Sequence, residues 1–266
     1  MRSILRFLPL LALAGAPLAH ADEQPCADGV VAAVASWAGI HGDATSLSED
    51  DGPVVAASCK TMPGAADTTI AAIAFDTHRD RPASQDDSKE QVVALVAGGK
   101  VVAANRSTIE EDALTQVGSY RIDTAPYRLS PDVRAFGVVF SSSAHGPSCP
   151  DASASSELTL WIREGNRLRA VLGTNLDGWT NVEGESCMGQ KGSVSESAHM
   201  TIAVEKTTSH GFADLSISAR VKRTQDDGSD FKKLGTRNVR TMLHYDGTSY
   251  GSDTFRDLWY PASLRH

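Results

Sequence analysis

Beyond the first twenty-one residues, three histidines carry a carboxylate two residues on: His41-x-Asp43, His78-x-Asp80 and His244-x-Asp246. On a β-strand that spacing places both side chains on one face. Such a pair has the parts of a general base or of two metal ligands, and the plainer reading is a surface or hairpin-end histidine. His145, His199 and His210 are scattered without that partner. One Ser-x-x-Lys occurs, Ser229 to Lys232, inside the polar turn "DDGSDFKK" and without its companion motifs, so it reads as solvated loop. There is no H-E-x-x-H, no P-loop and no dinucleotide G-x-G-x-x-G. Carboxylates are plentiful, so a dispersed acidic pair of the kind hydrolases use remains open as an alternative.

The tryptophans offer another chemistry. An indole presents a flat apolar face with a polar edge, which suits the C–H face of a sugar. Trp161 sits between Leu160 and Ile162 and reads as sheet packing. Trp259-Tyr260 reads as packing for the C-terminus, and Trp37 as the core-facing residue of a short helix. Trp179 lies in a Gly- and Asn-rich stretch near Cys187, so it is the tryptophan expected to be exposed and the candidate ligand-binding residue. The same stretch, "TNLDGWTNVEGE" (174–185), sets Asn175, Asp177, Asn181 and Glu185 around Gly178. It resembles the Asp- and Asn-rich calcium loops of FG-GAP propeller repeats, but the leading acidic residue is missing. Calcium takes six or more oxygen ligands, so no metal and no cofactor is assigned.

These side chains need a scaffold, and the scaffold reads as β. "QVVALVAGGKVVAANRS" (91–107) and "ELTLWIREGNRLRAVLGTN" (157–175) are each an apolar run, a Gly-centred turn and a second run. Each follows another strand candidate, 66–77 or 131–140. A looser third copy spans 211–251 and turns at Asp246-Gly247. Three meanders near 66–107, 131–175 and 211–251 suggest a propeller-like or stacked-sheet arrangement. The clearest strand is "ADLSISARV": Ala213, Leu215, Ile217, Ala219 and Val221 alternate with Asp214, Ser216, Ser218 and Arg220. This predicts a core face and a wet face, hence an antiparallel sheet. Minor helix is expected at 27–39, with a buried strand as the alternative, and at 107–118, where Ser107 and Glu110 fit a capping box and Gly118 the end. Residues 176–196 read as a long loop. The expectation is an all-β antiparallel fold in one domain over residues 22–266.

Residues 1–21 have the grammar of a cleaved signal: Arg2 and Arg6, the apolar "FLPLLALAG", then Ala19-His20-Ala21. After cleavage no membrane anchor is expected. Four cysteines follow, Cys26, Cys59, Cys149 and Cys187, an even number behind an export signal. They read as two disulfides, and sequence proximity favours Cys26–Cys59 and Cys149–Cys187. The net charge is −8, and −10 once Arg2 and Arg6 are gone. That balance disfavours nucleic acid as a partner. The reading is a periplasmic or secreted, non-enzymatic binding or inhibitor protein, whose partner is a protein or an envelope glycan. The alternative is a secreted hydrolase.

Overall fold

The computed structural model describes residues 24–40, 52–77, 88–184, 192–226, 228, 230–251, 258–261 and 264. The expected signal segment lies outside them, as do His41, His78, Cys187, Glu185 and Ser229. Helix α1 (Asp28–Ala38) precedes the strands β1 (Val54–Met62), β2 (Ala65–Phe75), β3 (Ser88–Ala97) and β4 (Lys100–Glu110). A second group of four follows: β5 (Val117–Asp123), β6 (Phe136–Ser142), β7 (Ala152–Glu164) and β8 (Arg167–Glu183). The last three are β9 (Val194–Ser209), β10 (Phe212–Asp226) and β11 (Phe231–Leu243). All belong to one sheet, with the order β1-β2-β3-β4-β8-β7-β6-β5 and β9, β10 and β11 branching from β8.

The first two expected meanders are present, as strands of one continuous sheet rather than as separate blades. Two four-stranded meanders, β1–β4 and β5–β8, meet where β4 and β8 run parallel at Ala104 and Arg167. The sheet they form curls round. Ala56, Ile70, Ala72, Val93, Leu95, Ile122, Phe136, Val138, Trp161 and Leu168 pack in one interior cluster drawn from both meanders. β2 is buried on both faces: Ile70, Ala72 and Ala74 point inward, while Ala71, Ile73 and Phe75 meet α1 outside. That is why its sequence is a near-continuous apolar run rather than an alternation.

The sheet does not close, and one residue spans the gap. The Gln24 carbonyl accepts from the Cys59 amide at 2.8 Å on β1. Its side-chain oxygen accepts from the Ile122 amide on β5 at 2.7 Å, and its side-chain nitrogen donates to the Ile122 carbonyl at 3.1 Å. Ser58 adds a hydroxyl to the same oxygen at 3.0 Å. The side-chain amide thus stands in for a missing backbone bridge between β1 and β5. Gln24→Ala leaves the Ile122 amide without that acceptor. The expected cost is about 1–3 kcal/mol, read as a lower urea midpoint; an unchanged midpoint would show the gap needs no bridge.

The Cys26–Cys59 disulfide forms as expected and ties the segment before α1 to β1. Cys149 is disulfide-bonded as well. Helix α1 ends at Gly39, whose left-handed φ of 73° lets the chain turn and the Ile40 amide reach the Ala35 carbonyl. Val31, Val34, Ala35 and Ala38 are its buried face, but Trp37 is 46% exposed and does not face the core.

Four further expectations are corrected. Residues 107–110 end β4 instead of starting a helix, because pairing with β3 runs out to Ser88–Glu110. The Ser107 hydroxyl serves Gln91 across the strands, and the Asp112 carboxylate turns the chain by accepting the Leu114 and Thr115 amides. Gly118 is a bulge in β5, not a cap. Residues 176–183 are strand, not loop: β7 pairs with β8 as far as Thr180 on one side, and β9 as far as Glu183 on the other. The third meander differs too. Its strands are β9, β10 and β11, and Asp246-Gly247 is a tight turn after the last of them with no returning strand among the described residues.

The alternation of β10 holds on one face only. Leu215, Ile217, Ala219 and Val221 are buried with Leu158, Leu160 and Leu172 of β7 and β8. On the other face, Asp214 is 2% and Ser216 1% exposed, against the expectation that both are wet. A register shift between Ala213 and Leu215 tucks Asp214 into the strand pair, and the Glu205 and Arg240 side chains reach over Ser216. Among the described residues no helix is long and apolar enough to cross a membrane.

Candidate functional site

Trp179 stands on β8, not in a loop, and is partly exposed. Register fixes its surroundings. Residues directly opposite each other on neighbouring strands share a face. One row across the sheet is Ser153, Trp179, Ser197, Lys222 and Thr236, from β7 to β11. The next row is Ser155, Asp177, His199, Arg220 and Asn238. Asn181 and Ser195 begin a third. At about 4.8 Å per strand, the rows extend roughly 19 Å. The opposite face of the same strands carries Leu176, Ala198, Met200, Ala219 and Val221 and is the core. The sheet therefore turns a serine-rich polar face outward, with one indole in it.

A trough borders this face. A groove of about 730 Å³ is lined by Phe140, His145, Ser153, Ser155, Glu157 and Asn175, among others. It shares Thr115, Phe140 and Glu157 with a smaller cavity of about 220 Å³ at the mouth of the curled sheet. There Trp161, 7% exposed, carries an indole N–H with no acceptor among the described residues. Gln91 donates to the Tyr120 hydroxyl at 3.0 Å. Burial pushes the Tyr120 phenol up to about 12, so it stays protonated at neutral pH.

Two of the described histidines meet carboxylates, neither of them at the two-residue spacing. His199 Nδ1 lies 2.6 Å from Asp177 Oδ1, on the Trp179 face. His244 Nδ1 lies 3.1 Å from Asp214 Oδ1, not beside Asp246. Asp246 is engaged locally: its carboxylate accepts the Thr248 and Ser249 amides at 2.7 and 2.8 Å. Those bonds hold its carboxyl below the usual range. Asp214 is also held low, first by the Thr207 and Ser209 hydroxyls and then by His244. Ser209, His244 and Asp214 are the residue types of a nucleophilic triad. However, Ser209 approaches the same Nδ1 that faces the carboxylate, at 3.4 Å. A proton relay needs the two partners on opposite ring nitrogens, so this set is wired for structure.

One motif escaped the sequence reading. Gly247-Thr248-Ser249-Tyr250-Gly251 spells G-x-S-x-G. A nucleophile elbow places that serine on a strained strand-to-helix turn. Here Ser249 closes the turn begun at Asp246, its hydroxyl accepts the Gly251 amide at 3.2 Å, and its φ is not positive. The elbow geometry is not met. Asn175, Asp177 and Asn181 lie along one face of an extended strand, which cannot wrap a cation as a loop does. Among the described residues no three His, Cys, Asp or Glu side chains form a metal-binding group.

Trp179 and the His199–Asp177 pair are thus brought together, and Glu157 faces the adjoining groove. His145 lines the far side of that groove, while His210 is held at the Tyr245 carbonyl at 2.8 Å. The serines of β7 and β9 went unremarked in the sequence; their alternation in "ASASSE" and "SVSES" is the signal for a polar strand face. Comparison with family models, with curated proteins and with solved structures gives no match, so any functional reading rests on the site itself.

Proposed function

We propose that the protein is an exported, non-enzymatic binding protein of the cell envelope, and that it holds a glycan on the Trp179 face. The observation that carries this is the setting of Trp179. Its neighbours along β8 are Asp177 and Asn181, and across the sheet Ser153 and Ser197. An indole in such company packs no core. It supplies a flat apolar surface ringed by hydroxyl, amide and carboxylate groups, the complement of a sugar ring. The adjoining groove, within the roughly 300–1,000 Å³ of small-molecule sites, gives a chain a path past the platform. The Cys26–Cys59 bridge supports an oxidising compartment, periplasmic or extracellular.

The test is retention on immobilised or gel-embedded envelope polysaccharide, followed by calorimetry with soluble fragments. Trp179→Ala is expected to weaken binding about tenfold or more, the scale of losing roughly 1.4 kcal/mol, while Trp179→Tyr keeps most of it. Equal affinity of native and Trp179→Ala protein would remove Trp179 from the site. A second reading, a secreted hydrolase, is favoured by the Asp177–His199 pair beside Trp179; release of new reducing ends, lost in Asp177→Asn, would replace binding by hydrolysis.

A further inference from the structure

A separate cavity of about 430 Å³ lies between α1 and the parallel seam, and it shares no lining residue with the trough. Its polar and aromatic lining is Trp37 from α1, Asn105 and Arg106 from β4, Asn166 from the turn before β8 and Arg167 at the start of β8. The seam explains the composition. Pairing of Ala104 with Arg167 in parallel, reinforced by the Ala104 amide donating to the Asn166 carbonyl at 3.2 Å, sets two Asn-Arg dipeptides side by side. The chain as a whole is acidic, at −8, so two guanidinium groups lining one small cavity run against the average.

The two arginines differ in state. Arg106 is already committed: one nitrogen donates to the Ala38 carbonyl at 3.0 Å, and another pairs with Glu90. Its plane is thereby fixed and its charge answered. Arg167 is exposed and has no acidic partner among the ion pairs of the described residues. Asn105 is held by its amide at the Leu168 carbonyl, 3.4 Å away. Opposite these polar groups, Trp37 leaves nearly half its surface open on a helix whose valines at 31 and 34 are buried. A cation without a partner and an indole without a cover face one space of ligand size.

We infer that this cavity is a second binding site, for a small acidic sugar: the carboxylate goes to Arg167 and the ring face lies on Trp37. Guanidinium recognises a carboxylate through a planar two-pronged pair of hydrogen bonds, and the indole face receives the C–H side of the ring. The inference does not depend on the Trp179 reading, because no residue is shared.

Ligand-observed saturation-transfer NMR on the purified protein tests it, with sodium glucuronate, glucose and acetate as separate probes. Glucuronate is expected to give a saturable signal, and glucose and acetate signals weaker by about tenfold or more. Trp37→Ala and Arg167→Gln each abolish the glucuronate signal, and Trp179→Ala keeps it. Both substituted side chains are exposed, so the variants keep the fold, which their urea midpoints verify. No saturable glucuronate signal with the native protein overturns the inference. So does a signal that survives Arg167→Gln, or one matched by glucose. Loss in Trp179→Ala, with the Trp37 and Arg167 variants unaffected, would move the acidic sugar to the other face and likewise overturn it.

Discussion

Leu215→Ala and Ile217→Ala are each expected to lower the unfolding free energy by about 2–5 kcal/mol, through lost transfer energy and the cavity left behind. Both side chains are fully buried. They sit in the cluster that joins β9–β11 to the outer face of β7 and β8, so a void there has walls from two layers and collapses poorly. The informative comparison is with the serines between and beyond them. Ser216 donates to Glu205 at 2.6 Å, and Arg240 reaches both Glu205 and the Ser216 oxygen. The residue is 1% exposed, so Ser216→Ala is expected to cost about 1 kcal/mol. Ser218 is less buried and has no such network among the described bonds; Ser218→Ala stays within about 0.5 kcal/mol. Urea midpoints of the four variants check the order. If Ser216→Ala matched Ser218→Ala, the charged cover over Ser216 would contribute nothing to stability.

That pair of serines also shows what a sequence can and cannot display. Period-two alternation named the buried face of β10 correctly, because it depends only on neighbours along the chain. The fate of the other face depends on Glu205 and Arg240, which arrive from β9 and β11 through register. The same division runs through the molecule. The Gly98-Gly99 and Gly165 turns are local chemistry, and their hairpins are legible. Residues 107–118 mislead because Ser and Glu at that spacing serve a capping box or a cross-strand pair equally well, and pairing with β3 wins. Residues 176–183 carry Gly, Asn and Asp, which have low strand propensity, yet β7 and β9 on either side impose the strand. The candidate site inherits this limit. Trp179 as a candidate can be read from its polar company, but the rows of side chains around it exist only once five strands are in register. The Trp37 cavity lies deeper still. It requires a parallel contact between strands of two meanders, at residues more than sixty apart, and nothing in either segment announces the other.

Glycine substitutions are expected to separate the closely packed bulge of β5 from open positions by the sign of their effect. At Gly118 an added Cβ would run into the backbone of β6 and the residue after it: the Ser141 carbonyl oxygen is nearest, with the Ser143 nitrogen at 2.9 Å and the Ser142 carbonyl carbon at 3.1 Å. None of these is a side chain that can swing aside. Gly118→Ala should therefore cost about 3 kcal/mol, at the upper end of ordinary overpacking. Moving β6 to relieve the clash would disturb its pairing with β7 and the buried Phe136 and Val138. Gly137→Ala, on β6 itself, meets Leu158 Cδ1 at 2.6 Å. Leu158 is fully buried, so it has little room to yield, and a loss of similar size is expected. Gly29 is the counter-case. It lies in the first turn of α1, and a Cβ added there would meet nothing within 4 Å. Gly29→Ala restricts the unfolded chain without a clash and should stabilise by about 0.4–1 kcal/mol. Thermal or urea unfolding of the three variants decides the matter. A neutral Gly118→Ala would mean that β5 and β6 do not approach as closely as the bulge requires, and the path from the curled sheet to the groove beside Thr115 and Phe140 would have to be redrawn.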